Sequence, residues 1–256
     1  MHHLAKIRRG TVLLVLVLLT AGAVSGYVLL NPRRTWEQTP TYIIDDRGQA
    51  SISDNDGGLG ATIAAITSND AWNGAGAGTV IEATAGSVAG FTLGDNVPML
   101  NFEDPTGACD GSCLAATFTG FYVTSGRGRN RTTYIVDADI VTNTAYDWTS
   151  ESEPDGCSGE FFIEGVQVHE IGHALGLGHT SVAGATMYPS VAACDNGPAT
   201  IAADDIAGIV DLYGSSGGGG GGGGSCTLGQ PGDSCTSNSQ CCSGKCRGPN
   251  GNKTCR

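Results

Sequence analysis

The chain has 256 residues, 40% of them hydrophobic, with 41 glycines, 10 cysteines and a formal charge of −12. That length buries one full core and leaves room for a small extra module. A chain this acidic repels nucleic acid and anionic membranes, so neither is expected as a partner.

Residues 1–26 read as a secretory signal. Lys6, Arg8 and Arg9 form its basic start and Thr11 to Leu19 its apolar core. Ala21-Gly22-Ala23 and Val24-Ser25-Gly26 are alternative small-residue cleavage sites. Losing this segment, with three positive charges and no acid, takes the formal charge from −12 to −15. Apolar residues resume at Tyr27 to Leu30, as they would in an uncleaved anchor, but Gly22, Ser25 and Gly26 interrupt the run. The expectation is cleavage, export to the cell exterior and no stable membrane insertion afterwards. No cysteine lies near this end, so a lipoprotein anchor is not expected.

Residues 27–214 read as one folded domain. Tyr42 to Asp45 is a predicted strand. Asp54-Asn55-Asp56-Gly57-Gly58 opens like a calcium loop but lacks the later ligands and the closing Glu, so calcium is kept only as a candidate. From Gly58 to Trp72, Ile63 and Ile66 recur with alanines at helical spacing, which predicts a helix. Thr79 to Ala83, Val97 to Phe102, Leu114 to Val123 and Thr133 to Val141 read as strands. Helices are expected over about Phe161 to Leu175 and about Ala202 to Tyr213. Strands with one early and two late helices suggest an α+β domain, a mixed sheet packed against helices.

The helix expected over about Phe161 to Leu175 leads into the run His169 to His179, H-E-I-G-H-A-L-G-L-G-H. His169 and His173 lie one turn apart on one face and can bind one metal ion together. Glu170 is placed to reach the open metal position as a base. Gly176 accepts a positive φ, so the chain can turn back and present His179 as a third ligand. Three imidazoles and an open position describe a catalytic zinc site rather than a closed structural one. The only other histidines are His2 and His3, so every histidine left after signal removal belongs to this motif.

The motif resembles the metzincin zinc-peptidase signature. Downstream, Ala185-Thr186-Met187-Tyr188-Pro189 is similar to the methionine turn of the matrixins, and Asp204 to Ile209 with Leu212-Tyr213-Gly214 resembles their last helix. The resemblance implies a five-stranded mixed sheet with three main helices. It also implies a metalloendopeptidase hydrolysing internal peptide bonds of proteins or peptides with a zinc-bound water, Glu170 being the general base. Met187 would pack beneath the zinc. Tyr188 directly follows it and is not counted as a ligand, but would help wall the pocket for the substrate side chain after the scissile bond. Leu114-Ala115-Ala116-Thr117 looks like the edge strand along which an extended substrate pairs, so Leu114 and Ala115 are candidate substrate contacts. Ala116 stands where animal matrixins carry a histidine for a second zinc, so one zinc per chain is expected. No cysteine precedes Cys109, so latency through a pro-segment thiol is not expected.

Four cysteines lie in this domain. Cys157 precedes the motif helix and Cys194 follows the methionine turn. A Cys157–Cys194 bridge would close a loop of about 36 residues, worth roughly 3–4 kcal/mol. Cys109–Cys113 would then pair locally, with crossed pairing or free thiols as the alternatives.

Residues 215–225 are nearly pure glycine, a linker unable to fold. Residues 226–256 hold the other six cysteines around the adjacent pair Cys241-Cys242, and their order resembles knottin miniproteins. That resemblance favours Cys226–Cys242, Cys235–Cys246 and Cys241–Cys255. So short a segment needs disulfides in place of a core. An alternative function follows: the tail could be a toxin, inhibitor or binding module carried by the larger domain. A monomer is expected.

Overall fold

The computed structural model describes residues 26–124, 132–153 and 156–215, and the backbone of 246–247 and 254–255. Residues 1–25 of the expected signal segment, the glycine run and most of the six-cysteine tail, with its three expected pairings, lie outside the described residues. Of the tail, Cys246–Arg247 (β11) and Thr254–Cys255 (β12) pair antiparallel.

Strands β1 (Val28–Leu29), β2 (Thr35–Trp36) and β3 (Thr41–Asp45) precede helix α1 (Leu59–Thr67). Strands β4 (Glu82–Gly86), β5 (Met99–Asn101), β6 (Ala115–Val123) and β7 (Thr133–Thr142) follow. The short pair β8 (Trp148–Thr149) and β9 (Phe161–Phe162) leads into α2 (Ile163–Ala174). Strand β10 (Leu177–Gly178) and α3 (Ala203–Tyr213) complete the domain.

Strands β4, β3, β5 and β7 pair side by side and parallel, and β6 runs antiparallel on the far edge of β7. The sheet has six strands rather than the five expected, because β2 also joins it. β2 pairs with β7 at Tyr134 and Ile135, while β5 pairs with β7 at Ile140 and Val141. With β6 along the opposite edge, β2 continues the column of β5, so the sheet remains five strands wide.

One face of the sheet builds the core. Tyr42, Ile44, Leu100, Ala138 and Ile140 are fully buried there with Ile66 of α1, Ile171 of α2 and Ile209 of α3. The first helix stops at Thr67, short of the expected Trp72. The polar run Ser68-Asn69-Asp70 makes local turn bonds, Ser68 Oγ accepting from the Asp70 amide, and a 3-10 turn Trp72–Gly74 follows. The expected strand Thr79 to Ala83 forms three residues later, because Asn73 Oδ1 captures the Ile81 amide and Asn73 Nδ2 donates to Ile81 O. No helix among the described residues is long and apolar enough to cross a membrane.

Helix α2 is held on every side. Gln167 donates to Thr142 Oγ1, which donates to Asn101 O, tying helix to sheet. Trp72 Nε1 donates to Val168 O at 2.8 Å and Trp36 Nε1 to Ala174 O at 2.9 Å. Tyr213 of α3 donates its hydroxyl to Leu175 O at 2.8 Å. Carbonyls at a helix C-terminus lack intrahelical partners, so the last two bonds satisfy groups that burial would otherwise leave orphaned.

The opposite face of β7 carries Asp137 and Asp139, both 1% exposed. They accept the backbone amides of Asn96 and Met99. Burial, and then the charge of Asp137, pushes Asp139 up to about 7. A carboxyl whose pKa is raised on folding contributes stability that is complete below its unfolded value and is lost as pH rises through the folded value. Asp139 therefore weakens the fold between about pH 4 and pH 7. The urea midpoint should fall less between pH 5 and pH 8 in Asp139→Asn than in the parent; equal falls would remove this group as the cause.

Candidate metal centre

The three motif histidines converge. His169 and His173 project from one face of α2, and Gly176 ends the helix with φ +107°. A Cβ at Gly176 would lie 2.5 Å from Arg34 O, so both its backbone angle and its surroundings require glycine. The chain then runs through β10, which pairs with β1 as Val28↔Gly178 and Leu29↔Leu177. Within the apolar run Tyr27 to Leu30, Val28–Leu29 is thus a strand supporting the loop that delivers His179.

The three Nε2 atoms meet at one point. His179 Nε2 lies 3.3 Å from His169 Nε2 and 3.1 Å from His173 Nε2. The other ring nitrogens of the two helical histidines face backbone carbonyls, His169 Nδ1 at 2.5 Å from Thr186 O and His173 Nδ1 at 2.8 Å from Leu177 O. A carbonyl only accepts, so each Nδ1 carries the proton and each Nε2 presents a lone pair. Burial pushes both His169 and His173 down to about 4 and also lowers His179, so all three are neutral near pH 7. Neutral imidazoles with converging lone pairs, two of them oriented by the backbone carbonyls of Thr186 and Leu177, fit a divalent metal ion.

Beneath them the methionine turn is fixed from α3. Asp205, 1% exposed, accepts the amides of Thr186, Met187 and Ala202 at 2.8, 3.1 and 2.8 Å. Met187 is buried and packs on α2 at Gly172, where a Cβ would lie 2.2 Å from Met187 Sδ and 2.6 Å from Trp72 Cζ2. A lone glycine inside a helical pattern was the sequence signal of that approach. Neither Trp72 nor Asp205 was singled out by pattern.

Beside the histidines a cleft of about 380 Å³ is lined by Leu114, Ala115, Tyr146, Phe161, Val166, His169, Glu170, His179, Tyr188 and Val191 among others. Leu114, Ala115 and Tyr188 thus meet at one cavity, whose lining does not include Met187. Along its other edge β6 pairs with no strand of the described residues. Glu170 is 5% exposed, and its Oε2 accepts the Thr117 hydroxyl at 2.6 Å. Burial pushes its carboxyl up, opposed by His173 and by the Thr117 bond. Sequence reasoning gave Thr117 no role.

Two disulfides frame the cleft. Cys157–Cys194 joins the approach to α2 to the loop after the methionine turn, with Cα atoms 5.5 Å apart. Cys109–Cys113, Cα atoms 5.2 Å apart, closes the loop before β6. Asp104 organises that loop by accepting the amides of Thr106, Gly107 and Cys109. Asp54 and Asp56, the candidate calcium residues, accept backbone amides of Asp56, Gly58 and Gly60.

Residues 127–214 match the family described as matrixin. The chain is 33% identical to matrilysin of Rattus norvegicus over 131 residues, 51% of this chain and 41% of that protein. It is 52% identical to metalloendoproteinase 5-MMP of Arabidopsis thaliana over 54 residues, 21% of this chain and 15% of the relative. With metalloendoproteinase 1 of Glycine max the identity is 54% over 54 residues, 21% of this chain and 17% of the relative. The chain thus spans less than half the length of these relatives. The plant relatives are metalloendoproteinases by name.

The contact at Gly172 makes a prediction. Gly172→Ala places a methyl group against Met187 and Trp72, and overpacking of this kind costs about 1–3 kcal/mol. A lowered unfolding midpoint together with weaker zinc binding is expected; parental values for both would mean that the helix and turn part freely.

Proposed function

We propose that the chain is a secreted zinc metalloendopeptidase that cleaves internal bonds of proteins or peptides. One observation carries the reading: three neutral imidazoles present their Nε2 lone pairs to one point, at the edge of a cleft that also contains Glu170. The similarity to matrixins supports it.

His169, His173 and His179 would hold the zinc through Nε2. When bound, zinc polarises a substrate carbonyl and lowers the pKa of water toward about 7. Glu170 accepts the proton of the attacking water on its carboxylate and passes it to the departing amine nitrogen. Met187 packs under the histidines as a floor. The unpaired edge of β6 offers backbone groups to an extended peptide beside Leu114 and Ala115. Tyr188 walls the cavity that receives the side chain after the scissile bond. The apolar lining contributed by Leu114, Phe161, Val166 and Val191 suits an uncharged side chain there.

Export is supported by the basic, then apolar, then small-residue N-terminus and by two disulfides in the domain. The domain acts as a monomer. Residues 215–225 act as a linker to 226–256, a separate six-cysteine module whose sequence carries Lys245, Arg247, Lys253 and Arg256 against one acid, Asp233.

Glu170→Ala should retain zinc and lose hydrolysis of a mixed peptide library by about a hundredfold or more, the usual size of general-base help. His173→Ala should lose the metal as well. Near-parental turnover in Glu170→Ala would refute the role of the carboxylate. Elemental analysis should give one zinc per chain, removed by a chelator with loss of activity and retention of the fold; two zinc ions per chain would contradict this ligand count.

A further inference from the structure

The edge strand and the metal helix touch through the Thr117 hydroxyl. Thr117 of β6 lies 2.6 Å from Glu170 Oε2 and 3.0 Å from Glu170 O, measured from its Oγ1. A hydroxyl carries one proton, so it can serve only one of the two acceptors at a time. The carboxylate is the nearer and, when ionised, the stronger acceptor. Oε2 is therefore held, while Oε1 makes no hydrogen bond among the described residues and belongs to a side chain lining the cleft.

Free of such a bond, the last torsion of a glutamate is broad and roughly two-fold, so neither oxygen is singled out. A proton transfer needs one oxygen aimed at one proton, and orientation of this kind is a large part of what a folded site contributes. The donor here is well placed to impose it. Thr117 sits in the strand ladder opposite Ile140, a fully buried residue. The helix bearing Glu170 is anchored by Trp72, Gln167 and Trp36. Neither end of the contact moves without disturbing the core.

We propose that Thr117 is a positioning residue for Glu170: its hydroxyl holds Oε2 and thereby makes Oε1 the oxygen that receives the proton. This rests on the peptidase reading, with Glu170 as base. Because Thr117 belongs to the edge strand, the same contact sets the base relative to the strand along which a peptide would lie.

The test uses the full zinc-loaded chain with Thr117→Val, which removes the hydroxyl and keeps a β-branched strand residue, Thr117→Ser, which keeps the hydroxyl, and Thr117→Ala should the valine variant fail to fold. The expected result is a kcat about tenfold lower in Thr117→Val with KM and zinc content unchanged, and recovery in Thr117→Ser, a tenfold change being the scale of one hydrogen bond. In a Glu170→Gln background Thr117→Val should lower the residual rate no further. Parental kcat in Thr117→Val, equal losses in the serine and valine variants, or an undiminished loss in the Glu170→Gln background would overturn the proposal. Infrared difference spectra of the same proteins read the contact without turnover. A shift of a carboxylate band is expected on Thr117→Val, absent when Glu170 is already Gln, and no shift would also overturn it. A parent chain that hydrolyses nothing but shows the band shift would instead count against the peptidase reading and leave the contact standing.

Discussion

Two imidazole Nε2 lone pairs, 3.3 and 3.1 Å from that of His179, repel it and one another unless a positive centre lies among them. That arrangement is costly to a bare protein and useful only to one that binds a cation. Much of the surrounding structure holds it in place. The Thr186 and Leu177 carbonyls fix the tautomers of His169 and His173. Asp205 fixes the turn that carries the first of those carbonyls, and β1 fixes the strand that carries the second. Burial keeps both helical histidines neutral over most of the pH range, so the site stays ready for a metal ion rather than for a proton.

The helix bearing two of these histidines is an unusual object in isolation. It is buried nearly all round and contains Glu164, Gln167 and Glu170 among its buried residues. Polar groups so placed are tolerated only with partners. Glu164 accepts from the Ser150 hydroxyl and the Glu151 amide, Gln167 donates to Thr142, and Glu170 accepts from Thr117. Each bond runs to a different neighbour, so together they fix the helix's position and rotation against the sheet. The close approach of Met187 at Gly172 fixes it from the other side.

The cleft beside the metal centre is assembled from pieces distant in sequence: the edge strand at Leu114, the segment around Tyr146, the start of α2, and the chain after the methionine turn. The two disulfides lie where these pieces leave the core. Cys109–Cys113 braces the loop entering β6, and Cys157–Cys194 joins the walls on either side of α2. Cys109–Cys113 closes a short irregular loop, whereas Cys157–Cys194 encloses α2 and the methionine turn, the longer loop and the one a covalent link constrains more.

The metal-binding pattern was legible in the sequence because it is local. The spacing of His169, His173 and Gly176 follows from helix geometry and from the positive φ that glycine permits, and no distant residue is needed to read it. The longer strands and the three helices were legible for the same reason, since their periodicity is short. Elements two residues long carry no periodicity, so β1, β2 and β10 emerged only when the folded chain supplied their partners. The first helix ended early, and β4 started late, because side chains of Ser68 and Asn73 bond to nearby backbone in a way that hydrophobic pattern does not register. Likewise Thr117 in a strand reads as an ordinary β-branched residue. Its hydroxyl acquires a partner 53 positions away only because the sheet edge and the metal helix are packed together, and packing between distant segments is decided by the tertiary fold alone.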